Sequence, residues 1–178
     1  MRGELETIVI SPGKQVEVEI QYRKIIEKMK GKINWFDRYF GFNTLEFLET
    51  CNIDDSVKNI KILCSIYQDG IDESLLNKFN TFAANCKSRN INCNMKIISR
   101  KKLHKQIHMR TIICQGHTYV TESQNTIESG SWSLITEIDK DLPFDDWWND
   151  PDCLDIVNDW DEIKSIQEKL STKLNSAK

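Results

Sequence analysis

His108, Met109 and Arg110 open the apolar run Thr111-Ile112-Ile113-Cys114, and they carry the strongest chemical signal in the chain. Side chains two apart on a strand share a face, so this spacing sets an imidazole beside a permanent cation. Such a pair suits a phosphate. The guanidinium forks onto two oxygens, while the imidazole can attack, donate a proton or simply hydrogen-bond. The same triplet also fits a solvated sheet face, so its surroundings must decide.

Those surroundings are unusual in charge. All three histidines, His104, His108 and His117, fall within Leu103 to Ile138, a stretch that reads as strand, turn, strand, loop and strand. Just upstream lie Lys101, Lys102 and Lys105, and from Lys87 to Arg110 every charged residue is basic. From Asp139 to Glu162 the balance reverses, with Lys140 the single base among the acids. A basic segment beside the candidate site is therefore followed by an acidic tail.

The stretch around His108 resembles a half-site of the phospholipase D-like superfamily. That signature is His-x-Lys, four residues, Asp, and later a Gly-Ser or Gly-Gly turn; here His108, Arg110, Gln115 and Gly130-Ser131 take those places. Lysine has become arginine, aspartate has become glutamine, and the glycine turn comes later than the signature has it. The segment is similar to a divergent branch typified by the domain that follows the MIT module in some ESCRT-associated proteins, a branch regarded as non-catalytic. Ile33 to Phe40, with Asp37 and Tyr39, resembles the strand end that opens that branch. The resemblance spans roughly Ile20 to Ile138 and implies a phospholipase D-like mixed sheet flanked by helices.

At 178 residues, 39% hydrophobic and 29% charged, the chain has the composition of a globular protein with a substantial core. No apolar run approaches the roughly 20 residues that cross a bilayer, and MRGELETIVISPGK lacks the apolar centre of a secretion signal. A cytoplasmic location is the expectation. The six cysteines show no Cys-x-x-Cys pair, so neither a metal nor a cofactor is expected, and the thiols read as small buried hydrophobes.

The elements that position these residues follow from periodicity. Glu6 to Ile10, the Ser11-Pro12-Gly13 turn and the alternation of Val16, Val18 and Ile20 read as a hairpin, after which Tyr22, Ile25, Ile26 and Met29 fall at helical spacing. Strands are expected over Lys32 to Phe36, Val57 to Cys64 and Asn92 to Ser99. Helices are expected between them, one from Asn43 or Thr44 and one from Asp72 to about Arg89. Two successive β-α-β units make an α/β sheet the expected class. Arg100-Lys101-Lys102 then forms a basic loop at a strand's carboxyl end, where ligands gather in such sheets.

Residues 1–140 read as the α/β domain and 141–178 as an acidic helical tail bearing Trp147, Trp148 and Trp160. Leu154, Val157, Trp160, Ile163, Ile166, Leu170 and Leu174 form the stripe of a helix from Asp152, covered by the domain or by a partner. The leading functional reading is a non-catalytic module binding a phosphate-bearing ligand, nucleic acid or an anionic lipid headgroup. His108, Arg110, Ser131, Asp37, Lys101, Lys102 and Lys105 would form its site. Two alternatives stand beside it. One is a phosphodiesterase completed in a homodimer, with His108 as nucleophile, Arg110 neutralising phosphate charge and Gln115 holding the imidazole. The other is an assembly or adaptor protein working through the tail.

Overall fold

The computed structural model describes residues 5–67, 70–107, 110–121 and 133–175. His108, Gly130 and Ser131 lie outside the described residues. An eight-stranded mixed sheet runs through the molecule in the order β1-β7-β6-β5-β2-β3-β4-β8. Its centre is β2 (Lys32–Phe36), β3 (Asn59–Ser65) and β4 (Asn92–Ile98), all parallel. These are joined by α2 (Phe42–Thr50) and α3 (Glu73–Ser88). The near-continuous apolar content of β3 suits a strand covered on both faces. α3 begins where expected because the Asp72 side chain accepts the Leu75 N–H at 3.0 Å.

One flank of the sheet is antiparallel. β5 (Arg110–Cys114) pairs with β2, β6 (His117–Thr121) returns beside β5, and β7 (Ser133–Ile138) lies between β6 and β1 (Thr7–Ile10). The expected hairpin at the start does not form, because residues 15–20 belong to helix α1 (Gln15–Lys28). Burial shows why. Val18, Tyr22, Ile25 and Ile26 are buried, whereas Val16 is 72% and Ile20 45% exposed. Helical spacing buries more of this segment than alternation would, and β1 pairs with β7 instead.

The tail is also built differently from its helical stripe. Cys153–Asp155 is β8, a short strand antiparallel to β4 with Leu154 opposite Ile97. Asp155 Oδ1 then accepts the N–H groups of Val157 and Asn158 at 2.9 Å, turning the chain before α6 (Trp160–Asn175) begins. Leu154 and Ile156 are buried while Val157 is exposed, so these residues do not share one helical face. The helical stripe holds only from Trp160 onward, where Ile163, Ile166 and Leu170 pack on the core; the Leu174 side chain lies outside the described ones.

Two apolar layers result. One face of the sheet is covered by α1, α2, α3 and α6, through residues such as Ile26, Leu45, Phe79 and Ile163. The other carries Phe36, Leu63 and Ile98, covered by Leu103 of α4 (Lys101–Gln106), Ile107, and Phe144 and Trp148 of α5 (Phe144–Trp148). α4 stands where a basic loop is expected. Its Leu103 has an apolar seat on the sheet, and that contact favours a helical turn over an extended connection. Among the described residues, no helix is long and apolar enough to cross a membrane.

Candidate functional site

The sheet changes from parallel to antiparallel at β2, and this change builds the site. β2 faces β5 with Phe36 opposite Thr111, so the next residue of each strand, Asp37 and Arg110, meets at the carboxyl end of β2. Arg110 Nε lies 3.3 Å from Asp37 Oδ1. The contact is close enough for an ion pair but not aligned as a hydrogen bond, and Nε is buried without a hydrogen-bond partner among the described residues. Tyr39 lies under the guanidinium, whose central carbon is 5.1 Å from the ring centroid. The site thus holds a largely sequestered cation fixed between a carboxylate and a ring face.

Asp37 is buried, and burial pushes its carboxyl up from 3.8 to about 6. The Tyr39 N–H, donated to Oδ1 at 2.9 Å, and the Arg110 cation oppose that rise. Arg38 turns to different partners. Its guanidinium donates to Ile107 O at 2.7 and 3.0 Å and to His104 O at 2.9 Å, tying the carbonyls at the end of α4 to the end of β2. The two neighbours, which could have formed a surface pair, instead fix the two chain segments that flank the site.

His104 contributes to the same edge of the sheet. Its Nδ1 is 2.7 Å from Ser65 Oγ at the carboxyl end of β3, and its ring lies 5.1 Å from that of Tyr67. Ser65 Oγ also accepts the Tyr67 N–H at 3.3 Å. Sequence reasoning missed Ser65. The available signal was its place as the last residue of an apolar strand, equivalent to the place of Asp37 just beyond β2.

The other predicted residues divide into two groups. Lys101, Lys102 and Lys105 are exposed on α4, and none of the ion pairs among the described residues involves them. Arg100 pairs with Asp152 at 2.9 Å, and Lys61 with Asp145 at 2.9 Å, so the acidic tail neutralises nearby bases but leaves those three lysines out. Gln115 is not brought to the site. It lies in the β5–β6 turn against Gly31, five residues from Arg110 and so roughly 16 Å away along the strand. From there it cannot orient an imidazole beside Arg110.

His117 is also at that far end. It pairs with Glu137 at 2.5 Å and lines a separate cavity of about 530 Å³ with Ile25, Met29 and Cys114. Among the described residues, no group of three or more His, Cys, Asp or Glu side chains is placed to hold a metal ion.

Neither a sequence family model nor a curated protein sequence matches the chain. Solved structures do match its architecture. Phosphatidylserine synthase from Haemophilus influenzae Rd KW20, a phospholipase D-like superfamily member, aligns at a TM-score of 0.52 with 9% identity, over 97% of this chain and 46% of its own. The fold is phospholipase D-like. TrmBL2, an archaeal chromatin protein described with a novel mode of DNA binding, aligns at 0.43 with 13% identity, over 80% of this chain and 51% of its own. NucT from Helicobacter pylori aligns at 0.45 with 12% identity, over 76% of this chain and 87% of its own. The chain spans about half the length of the synthase and of TrmBL2. In the phospholipase D-like sheet described above, Asp37, Arg110, Ser65 and His104 gather where the parallel strands end.

Proposed function

We propose that this chain is a phospholipase D-like module of the non-catalytic kind that binds a phosphate-bearing ligand at the carboxyl ends of β2 and β3. Arg110 is the anchor, His108 and Ser131 complete the contacts, Asp37 positions the guanidinium, and Lys101, Lys102 and Lys105 draw the anion in. The observation that carries this reading is the state of Arg110. A guanidinium held over a tyrosine ring, with its Nε turned to Asp37, is pre-organised to present a fixed cation to phosphate oxygens.

Catalysis by one copy is disfavoured on chemical grounds. Phosphodiester transfer through a histidine needs a second acid and further cations around the phosphoryl oxygens, and Gln115 lies at the wrong end of the strand to assist. The second reading is a phosphodiesterase completed by two copies in a homodimer. It rests on the resemblance of His108, Arg110 and Gln115 to a single half-site, which a second copy would complement.

The test is binding of a labelled single-stranded oligonucleotide and of vesicles containing a phosphoinositide, followed by anisotropy and sedimentation. Arg110→Ala should lower affinity for the true ligand at least about tenfold, close to 1.4 kcal/mol, and Arg110→Lys should restore it only in part. Unchanged affinity in Arg110→Ala would overturn the proposal. Hydrolysis of bis-p-nitrophenyl phosphate that disappears in His108→Ala but survives His117→Ala would favour the dimeric enzyme instead.

A further inference from the structure

At the end of β5 away from Arg110, three strands, the residues just before β1 and helix α1 enclose the cavity of about 530 Å³ that His117 lines. Cys114 of β5 stands opposite His117 of β6, and Tyr119, two residues on, stands opposite Glu137 of β7. The Glu137 N–H donates to Glu6 O at 2.8 Å, which adds Glu6 to the row. Residues in register across a sheet share a face, so these groups form one floor. Ile25 and Met29, in the last turns of α1 and just beyond it, close the cleft from above.

That floor is rich in acceptors. The Glu137 side chain is 14% exposed; its Oε1 lies 2.5 Å from His117 Nδ1, and its Oε2 meets the Glu6 N–H at 3.5 Å. A carboxylate has about four lone-pair positions and 3.5 Å is the outer edge of hydrogen bonding, so Oε2 keeps accepting capacity toward the cleft. When the imidazole is neutral, Nδ1 donates to Glu137 and Nε2 is a further acceptor. Burial pushes the Tyr119 phenol up to about 12, and Glu137 and Glu6 add to the rise, the mark of a negative field. The carboxyl end of α1 adds the negative end of its dipole. Lys28 is the one lysine or arginine among the lining residues; it is exposed, and its long stem lets the charge sit in water. The other walls are aromatic or apolar. The His117 and Tyr119 rings lie 6.3 Å apart and within 15° of parallel, and ring faces attract cations.

We propose that this cleft binds a small aromatic amine, with its ammonium on Glu137 and Glu6 and its ring against Tyr119, His117, Ile25 and Met29. An ammonium brings three donors, which match Glu137 Oε2, the Glu6 carboxylate and His117 Nε2. The ring supplies the apolar body that a cleft of this size and lining takes. A simple arylalkylamine and an aromatic amino acid share this chemistry; in the second, Lys28 takes the carboxylate. The site is independent of the anion site, because Arg110 lies four residues from Cys114, roughly 13 Å along the strand.

The experiment is isothermal titration calorimetry on the full chain at pH 8 with three probes of nearly one shape: tryptamine, L-tryptophan and indole-3-propionate. Tryptamine should bind saturably and at least about tenfold more tightly than indole-3-propionate. Glu137→Gln should remove most of that preference, and Arg110→Ala should leave it intact. Tighter binding of tryptophan than of tryptamine, lost in Lys28→Ala, would assign the cleft to amino acids; the reverse order would assign it to simple amines. No saturable binding of either amine, equal affinity for the anionic probe, or loss of amine binding in Arg110→Ala would overturn the proposal. The comparison of probes is made on the unmodified protein, so it decides the matter even where Glu137→Gln fails to fold.

Discussion

At the scale of single residues, Asp37 is the most informative group because its burial and its charge oppose each other. Its folded-state carboxyl titrates near 6, above the roughly 3.9 of an unfolded chain, so the native state holds the proton more tightly. The stability this adds is fully present below the unfolded value and is lost as pH rises through about 6. A shift of this size corresponds to about 3 kcal/mol at most. Asp37→Asn cannot show that loss, since it has no proton to release. Urea unfolding between pH 4 and 8 should therefore give a falling stability for the wild type relative to Asp37→Asn; parallel curves would mean that Asp37 is not buried as described. The meeting of Asp37 with Arg110 could not be read from the sequence, although both residues were singled out. It depends on the register of β2 against β5, and register between segments 73 positions apart (110 − 37) is a tertiary fact. The Ser65–His104 contact escaped for the same reason.

Among elements, legibility followed the strength of local signals. β2, β3, β4 and the helices between them were readable because their apolar runs are long and Asp72 supplies a cap. Val16, Val18 and Ile20 misled because three alternating residues fit a strand as well as a helix, and only Tyr22 to Met29 break the tie. This account has a direct check. Val16→Glu should shift stability by less than about 0.5 kcal/mol, whereas Val18→Ala should cost about 2 kcal/mol, as measured by denaturant unfolding. Equal sensitivity at the two positions would contradict the helix. α4 makes a different claim. Its exposed lysines should act through charge alone, so Lys101→Ala, Lys102→Ala and Lys105→Ala together should weaken binding to an anionic oligonucleotide or vesicle and flatten its salt dependence. A salt response identical to that of the wild type would remove α4 from the site.

For the whole molecule, the question is what the last segment does for the sheet. The tryptophans were legible as a covering surface, but the strand between them was not, because three residues of β8 take their meaning from the exposed edge of β4. Residues 141–175 supply that strand, the α5 side chains over Phe36, Leu63 and Ile98, and the α6 side chains on the opposite layer. Removing everything after Lys140 would uncover apolar surface on both faces and leave β4 as an unpaired edge. Each large core side chain so exposed forfeits roughly 1.5–3 kcal/mol, and several are affected, against a total stability of about 5–15 kcal/mol for a typical domain. The truncated chain should therefore aggregate or lose its cooperative thermal transition, as followed by scanning calorimetry and light scattering. Single changes grade the same effect: Trp148→Ala removes a ring that stacks on Phe144 and lies near the Lys61 and Lys96 ammonium groups, and should cost about 3–5 kcal/mol. A truncated protein that melts at the wild-type temperature would show that the segment is an appendage, and the sheet would then have to be stable with both layers partly bare.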